Sequence, residues 1–82
     1  MNMENQDKNY NTSDFCLASY LLAKNNPLTN TIRETTNRVT FIFSQSDELS
    51  SLINEYYQMQ AIVEPMAFFA AQKRLKQIIY QK

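Results

Sequence analysis

The chain has 82 residues, with eight basic and eight acidic side chains, no net charge, one Cys, and neither Gly nor His. Charge neutrality removes any bulk attraction to nucleic acid or an anionic membrane. One Cys excludes an intramolecular disulfide and fits the cytoplasm, and the lack of Gly excludes glycine-rich phosphate loops of the usual kind. Hydrophobic residues at 44% and aromatics at 12% suffice for a packed core. A domain this small buries roughly 60–65% of its unfolded surface, so modest stability is expected.

Residues 1–11 are polar and lack periodicity, and read as a flexible N-terminal tail rather than a signal peptide or anchor. Residues 12–82 then form a single α+β domain. Thr12 or Ser13 offers an N-cap with Asp14 in the first turn of a helix that runs to about Lys24. Phe15, Ala18, Leu21 and Leu22 form its stronger apolar face. Cys16, Tyr20 and Ala23 lie opposite, where the tail, another element or a second subunit would cover them. Asn25-Asn26-Pro27 stops this helix, because Asn tolerates the left-handed cap position and Pro cannot continue the ladder.

Residues 28–34 alternate loosely, with Leu28, Asn30 and Ile32 on one side and Thr29, Thr31 and Arg33 on the other. Residues 38–43 form a clearer strand, with Val39, Phe41 and Phe43 facing the core and Arg38, Thr40 and Ile42 facing away. The short link through Asn37 predicts an antiparallel hairpin, with Asn37 at positive φ and Thr31, Arg33, Thr40 and Ile42 on an open face. Ser44 or Ser46 caps the next helix, whose Leu49, Leu52, Ile53 and Tyr56 share a face. Ala61-Ile62-Val63 fits a short third strand or an extended linker. Pro65 opens a last helix to Tyr80 with Phe68, Ala71, Leu75, Ile78 and Ile79 on one face. The order is helix, strand, strand, helix, short strand, helix, with the helices on one face of a small antiparallel sheet.

The chain resembles a family of small uncharacterised domains of bacteria and their phages, a domain of unknown function. The residues that carry the resemblance are Thr12-Ser13-Asp14-Phe15, Leu17-Ala18, Leu21-Leu22-Ala23, the strand Arg38-Val39-Thr40-Phe41-Ile42-Phe43, Tyr56-Tyr57 and Val63-Glu64-Pro65. These are cap and core positions spread over residues 10 to 80. The resemblance implies the α+β fold and an origin in a phage or other mobile element, and it carries no activity or cofactor. Where such domains usually have Gly, after the first helix and in the hairpin, this chain has Asn25 or Asn26 and Asn37.

Enzymatic chemistry is not expected. General acid–base catalysis near neutral pH most often uses His, and the carboxylates form no recognisable pair. Cys16 lies in an apolar helix with no His to activate it and reads as a small core residue. One Cys without His cannot build a zinc site, and no cofactor is expected. Protein–protein binding asks least of the composition: Tyr10, Tyr20, Tyr56, Tyr57 and Tyr80, with Met59 and Met66, suit interface cores. An exposed Ile42 beside an open sheet edge would favour a homodimer. The reading is therefore a small cytoplasmic non-catalytic interaction module, which could act by binding and blocking a host protein. The alternative is nucleic-acid binding by Arg33 and Arg38 at the hairpin and Lys73, Arg74, Lys76 and Tyr80 on the last helix. Against that alternative, Lys stems commonly lie over half-buried aromatics.

Overall fold

The computed structural model describes residues 8–81. Its elements are β1 (Asn9–Thr12), α1 (Phe15–Ala23), β2 (Leu28–Thr35), β3 (Arg38–Ser44), α2 (Asp47–Tyr57) and α3 (Pro65–Ile79). The mixed architecture of three helices and a three-stranded antiparallel sheet agrees with the expected class. No helix among the described residues is long and apolar enough to cross a membrane.

The third strand is β1, at the start of the chain. Asn9, Tyr10 and Asn11 lie in the stretch read as tail and Thr12 was a candidate helix cap, yet the four pair antiparallel with β3, placing Tyr10 opposite Phe43 and Thr12 opposite Phe41. Residues 1–7 lie outside the described residues. Residues 61–63, read as a short third strand or an extended linker, carry no strand. β1 and β2 already occupy both sides of β3, and the segment is held instead by the Lys24 ammonium, which donates to the Ile62 carbonyl at 2.9 Å, and by Val63 packing on the core.

A bulge resets the phase of β2. Leu28 opposes Phe43 but Asn30 opposes Ile42, so the ladder skips Thr29, whose hydroxyl donates to the Ile42 carbonyl at 2.9 Å. One extra residue exchanges the two faces of a strand. Thr31 and Arg33 therefore stand opposite Phe41 and Val39 on the inner side, and Asn30 and Ile32 join Thr40 and Ile42 outside. Thr31 and Arg33 were expected on the outer face. Ile42 was expected to be exposed, but it is buried, because β1 makes β3 the central strand and flanks Ile42 with Asn11 as well as Asn30.

The core joins Val39, Phe41 and Phe43 of β3 to Leu17, Ala18, Tyr20 and Leu21 of α1, Leu49 and Leu52 of α2, and Leu75 of α3. α1 is the central helix. It packs against both α2 and α3, and α3 rests mainly on α1. Tyr20, expected on its weaker side, is covered by α2 and stacks on Tyr56 with ring centroids 6.0 Å apart. Cys16, read as core, is exposed in the first turn of α1, two positions past the cap.

Caps define the helix ends. Asp14, rather than Thr12 or Ser13, is the N-cap of α1, its Oδ1 accepting from the Cys16 and Leu17 amides at 3.0 and 3.1 Å. Ser46 caps α2, and Glu64 caps α3 ahead of Pro65. Both α1 and α2 end in the same pair of bonds. The Asn25 and Asn26 amides return to Leu22 and Leu21, and the Met59 and Gln60 amides return to Tyr56 and Glu55. This motif needs a left-handed residue, commonly Gly. Here Asn25 (φ 72°) and Met59 (φ 61°) supply it. Asn37, the other Asn expected at positive φ, does not adopt it; the hairpin closes with its amide donating to the Thr35 hydroxyl at 3.2 Å.

Two predictions follow from this packing and capping. Leu75 is fully buried and Phe69 about half exposed, so Leu75→Ala should cost about 2–5 kcal/mol in urea unfolding, and Phe69→Ala less than about 1 kcal/mol. Equal losses would refute the rotation of α3. Because a left-handed L-residue costs about 1–2 kcal/mol and Met59 is 92% exposed, Met59→Gly should raise the urea midpoint and Asn25→Val should lower it. A fall with Met59→Gly would show that the Met side chain supports the fold.

Candidate functional site

α3 carries a buried apolar row and an outward row in which apolar residues flank two lysines. Burial of Ala71 and Leu75, at about 100° of rotation per residue, turns Met66, Phe69, Lys73, Lys76 and Tyr80 to the opposite side. Their alternating three- and four-residue spacing matches the a and d positions of a heptad. Met66, Phe69 and Tyr80 are 68%, 54% and 75% exposed. The Lys73 ammonium lies 5.5 Å from the centroid of the Phe69 ring, close enough for a cation–π contact. In the linker before α3, Met59 and Ile62 are also exposed.

The six residues named from the sequence do not form one patch. Arg33 reaches the end of α3, where its guanidinium donates to the carbonyls of Ile79 and Gln81, and also to Thr36 O at 3.2 Å. A cation at the carbonyl end of a helix complements the helix dipole. Arg33 thus ties the hairpin to the helix. Arg33 and Tyr80 share an open cleft of ≈ 580 Å³ with Thr36, Asn37, Ile79 and Gln81. Arg38 is exposed at the start of β3, opposite Thr35. Lys73 and Lys76 lie on the outward row. Arg74 instead borders a shallow groove between α1 and α3 with Leu22, Ala23, Ala67, Ala70 and Ala71.

Met59 and Ile62 belong to the exposed apolar set, although Ile62 reads as β-prone from sequence. The signal that joins Met66 to Phe69, Lys73, Lys76 and Tyr80 is the alternating spacing 66, 69, 73, 76, 80.

The tyrosines have a structural role. Tyr56 donates to Asp14 Oδ2 at 3.3 Å while Asp14 Oδ1 caps α1, so one carboxylate joins the end of α2 to the start of α1. Tyr57 meets Tyr56 edge to face at 5.2 Å. The Tyr20 hydroxyl is buried with no hydrogen-bond partner among the described residues. Burial is the main cause that raises all three phenols, reinforced at Tyr56 by Cys16 and Asp14, at Tyr10 by Tyr57 and Asp14, and at Tyr20 by Glu55. Among the described residues no three His, Cys, Asp or Glu side chains gather where they could hold a metal ion.

Residues 7–81 match the family model Domain of unknown function (DUF5659), and the chain belongs to that family. The match agrees with the expected resemblance to a small domain of unknown function. No curated protein and no solved structure matches the chain.

The raised phenols fix a pH dependence. The folded chain keeps protons on Tyr10, Tyr20 and Tyr56 that the unfolded chain loses above about pH 10. Their contribution to stability is therefore complete below about pH 10 and declines as the pH rises further. Urea midpoints between about pH 8 and pH 11 should fall more steeply for the wild type than for Tyr56→Phe. Parallel slopes would refute this assignment.

Proposed function

We propose that this chain is a non-catalytic protein-binding module whose docking face is the outward row of α3 together with the linker before it. The observation that carries this reading is the exposure of Met59, Ile62, Met66, Phe69 and Tyr80. Met and aromatic side chains are enriched in interface cores, and contiguous exposed apolar rows commonly mark interaction sites. Met59 adds support. It occupies a left-handed position that costs stability while its side chain shields almost nothing, and a partner would give it a use. The module would act by occupancy, in the cytoplasm where the exposed Cys16 thiol stays reduced. Blocking of a host protein by a phage- or mobile-element-encoded chain is the specific form that small size and the family resemblance suggest.

Sheet edges offer less to a partner. β1 has only four residues, and β2 is irregular near both ends; short and bulged edges resist strand addition. Nucleic-acid binding is the second reading, favoured by Lys73 and Lys76 beside Phe69 and Tyr80. It is weakened because the Arg33 donors already hold α3 carbonyls and Arg74 faces another groove.

Immobilised wild type should retain a specific protein from lysate of its native host, and Phe69→Asp and Met66→Asp, both at exposed positions, should lose it while keeping the helical circular-dichroism signal. A labelled oligonucleotide should give no salt-sensitive anisotropy change. Salt-sensitive binding that vanishes when Lys73, Arg74 and Lys76 become Glu would favour the second reading instead.

A further inference from the structure

We infer that the occupant of the α3 row is an acidic amphipathic helix of another protein, lying along α3 as in a two-stranded coiled coil. This inference rests on the protein-binding reading and specifies the partner's chemistry. The row runs from Met66 to Tyr80, about 21 Å at 1.5 Å per residue, and presents apolar residues at both ends with Lys73 and Lys76 between them. A partner helix completing this seam needs its own apolar row to cover Met66, Phe69 and Tyr80, and carboxylates to meet the two ammonium groups.

Charge argues against a second copy of this chain. Pairing two α3 rows, in either direction and in any register, brings four ammonium groups together with no carboxylate in either row. The acidic helix available within the chain is α2. Its outer side presents Asp47, Glu48, Ser51, Asn54 and Glu55, all exposed, without an apolar row to set against Met66 and Phe69. The complement must come from elsewhere. Nucleic acid would satisfy Lys73 and Lys76, but it leaves the Met66 thioether end of the row without an apolar counterpart.

The probe is a synthetic helical peptide of about 20 residues with Leu at a and d and Glu at e and g, compared with a version carrying Lys at e and g. In a fluorescence titration the full chain should bind the Glu peptide at least about tenfold more tightly than the Lys peptide. Phe69→Asp should abolish binding. Lys73→Glu with Lys76→Glu should reverse the preference, and Lys73→Gln with Lys76→Gln should erase it; circular dichroism would confirm that each variant folds. Binding of neither peptide, or equal binding of both, would overturn the inference. So would tighter, salt-steep binding to a labelled single-stranded oligonucleotide, or a concentration-dependent dimer in light scattering that Phe69→Asp dissolves. If a lysate partner is retained in a Phe69-dependent way while the peptides fail, this inference falls and the protein-binding reading stands. If neither a partner nor a peptide is retained, both fall.

Discussion

The burial of Ala71 and Leu75 beside α1 fixes the rotation of α3, and the character of the exposed surface depends on that rotation. Leu75 shares one cluster with Phe41, Phe43 and Leu17, so turning α3 to hide Met66 and Phe69 would withdraw Leu75 from the core. Truncations at such fully buried positions cost several kcal/mol, a large fraction of what holds a small domain together. The outward row is therefore the other side of the same constraint. Arg33 reinforces it from the far end by holding the last carbonyls of α3.

α1 transmits this constraint to the rest of the molecule. It lies between α3 and α2, and its N-cap Asp14 also accepts from Tyr56 of α2. The sheet contributes Val39, Phe41 and Phe43 from its central strand, and β1 makes that strand central. The fold manages without Gly by placing Asn25 and Met59 at the left-handed ends of α1 and α2. Asn carries that conformation at modest cost, whereas Met is an unusual choice.

The helices and the hairpin could be read directly from the sequence, because their periodicities are long enough to stand out and their caps are chemically distinctive. Asp47-Glu48 behind two candidate serines, and Pro65, mark their helix starts, and the structure takes Ser46 and Glu64 as the caps. β1 was hidden because one Tyr among three polar residues carries too little pattern, and only the free edge of β3 makes Asn9–Thr12 a strand. The inner and outer sides of β2 were exchanged because the bulge at Thr29 depends on a hydroxyl-to-carbonyl bond to Ile42, which alternation cannot reveal. Cys16 looked like core because its neighbours are apolar, but it lies in the first turn of α1, where it stays exposed. Lys73, Lys76 and Tyr80, named from sequence in the nucleic-acid alternative, stand on the outward row of α3, whereas Arg33, named with them, holds the last carbonyls of α3. That contact depends on where the hairpin meets the helix, which no local pattern shows.

The outward orientation of the α3 row is most directly tested by methyl NMR of the isolated chain with a gadolinium co-solute. The Met59 and Met66 methyls should relax strongly, and the Leu17 and Leu75 methyls should be protected. Protection of Met66 equal to that of Leu75 would contradict the account, because it would place the outward row inside the core.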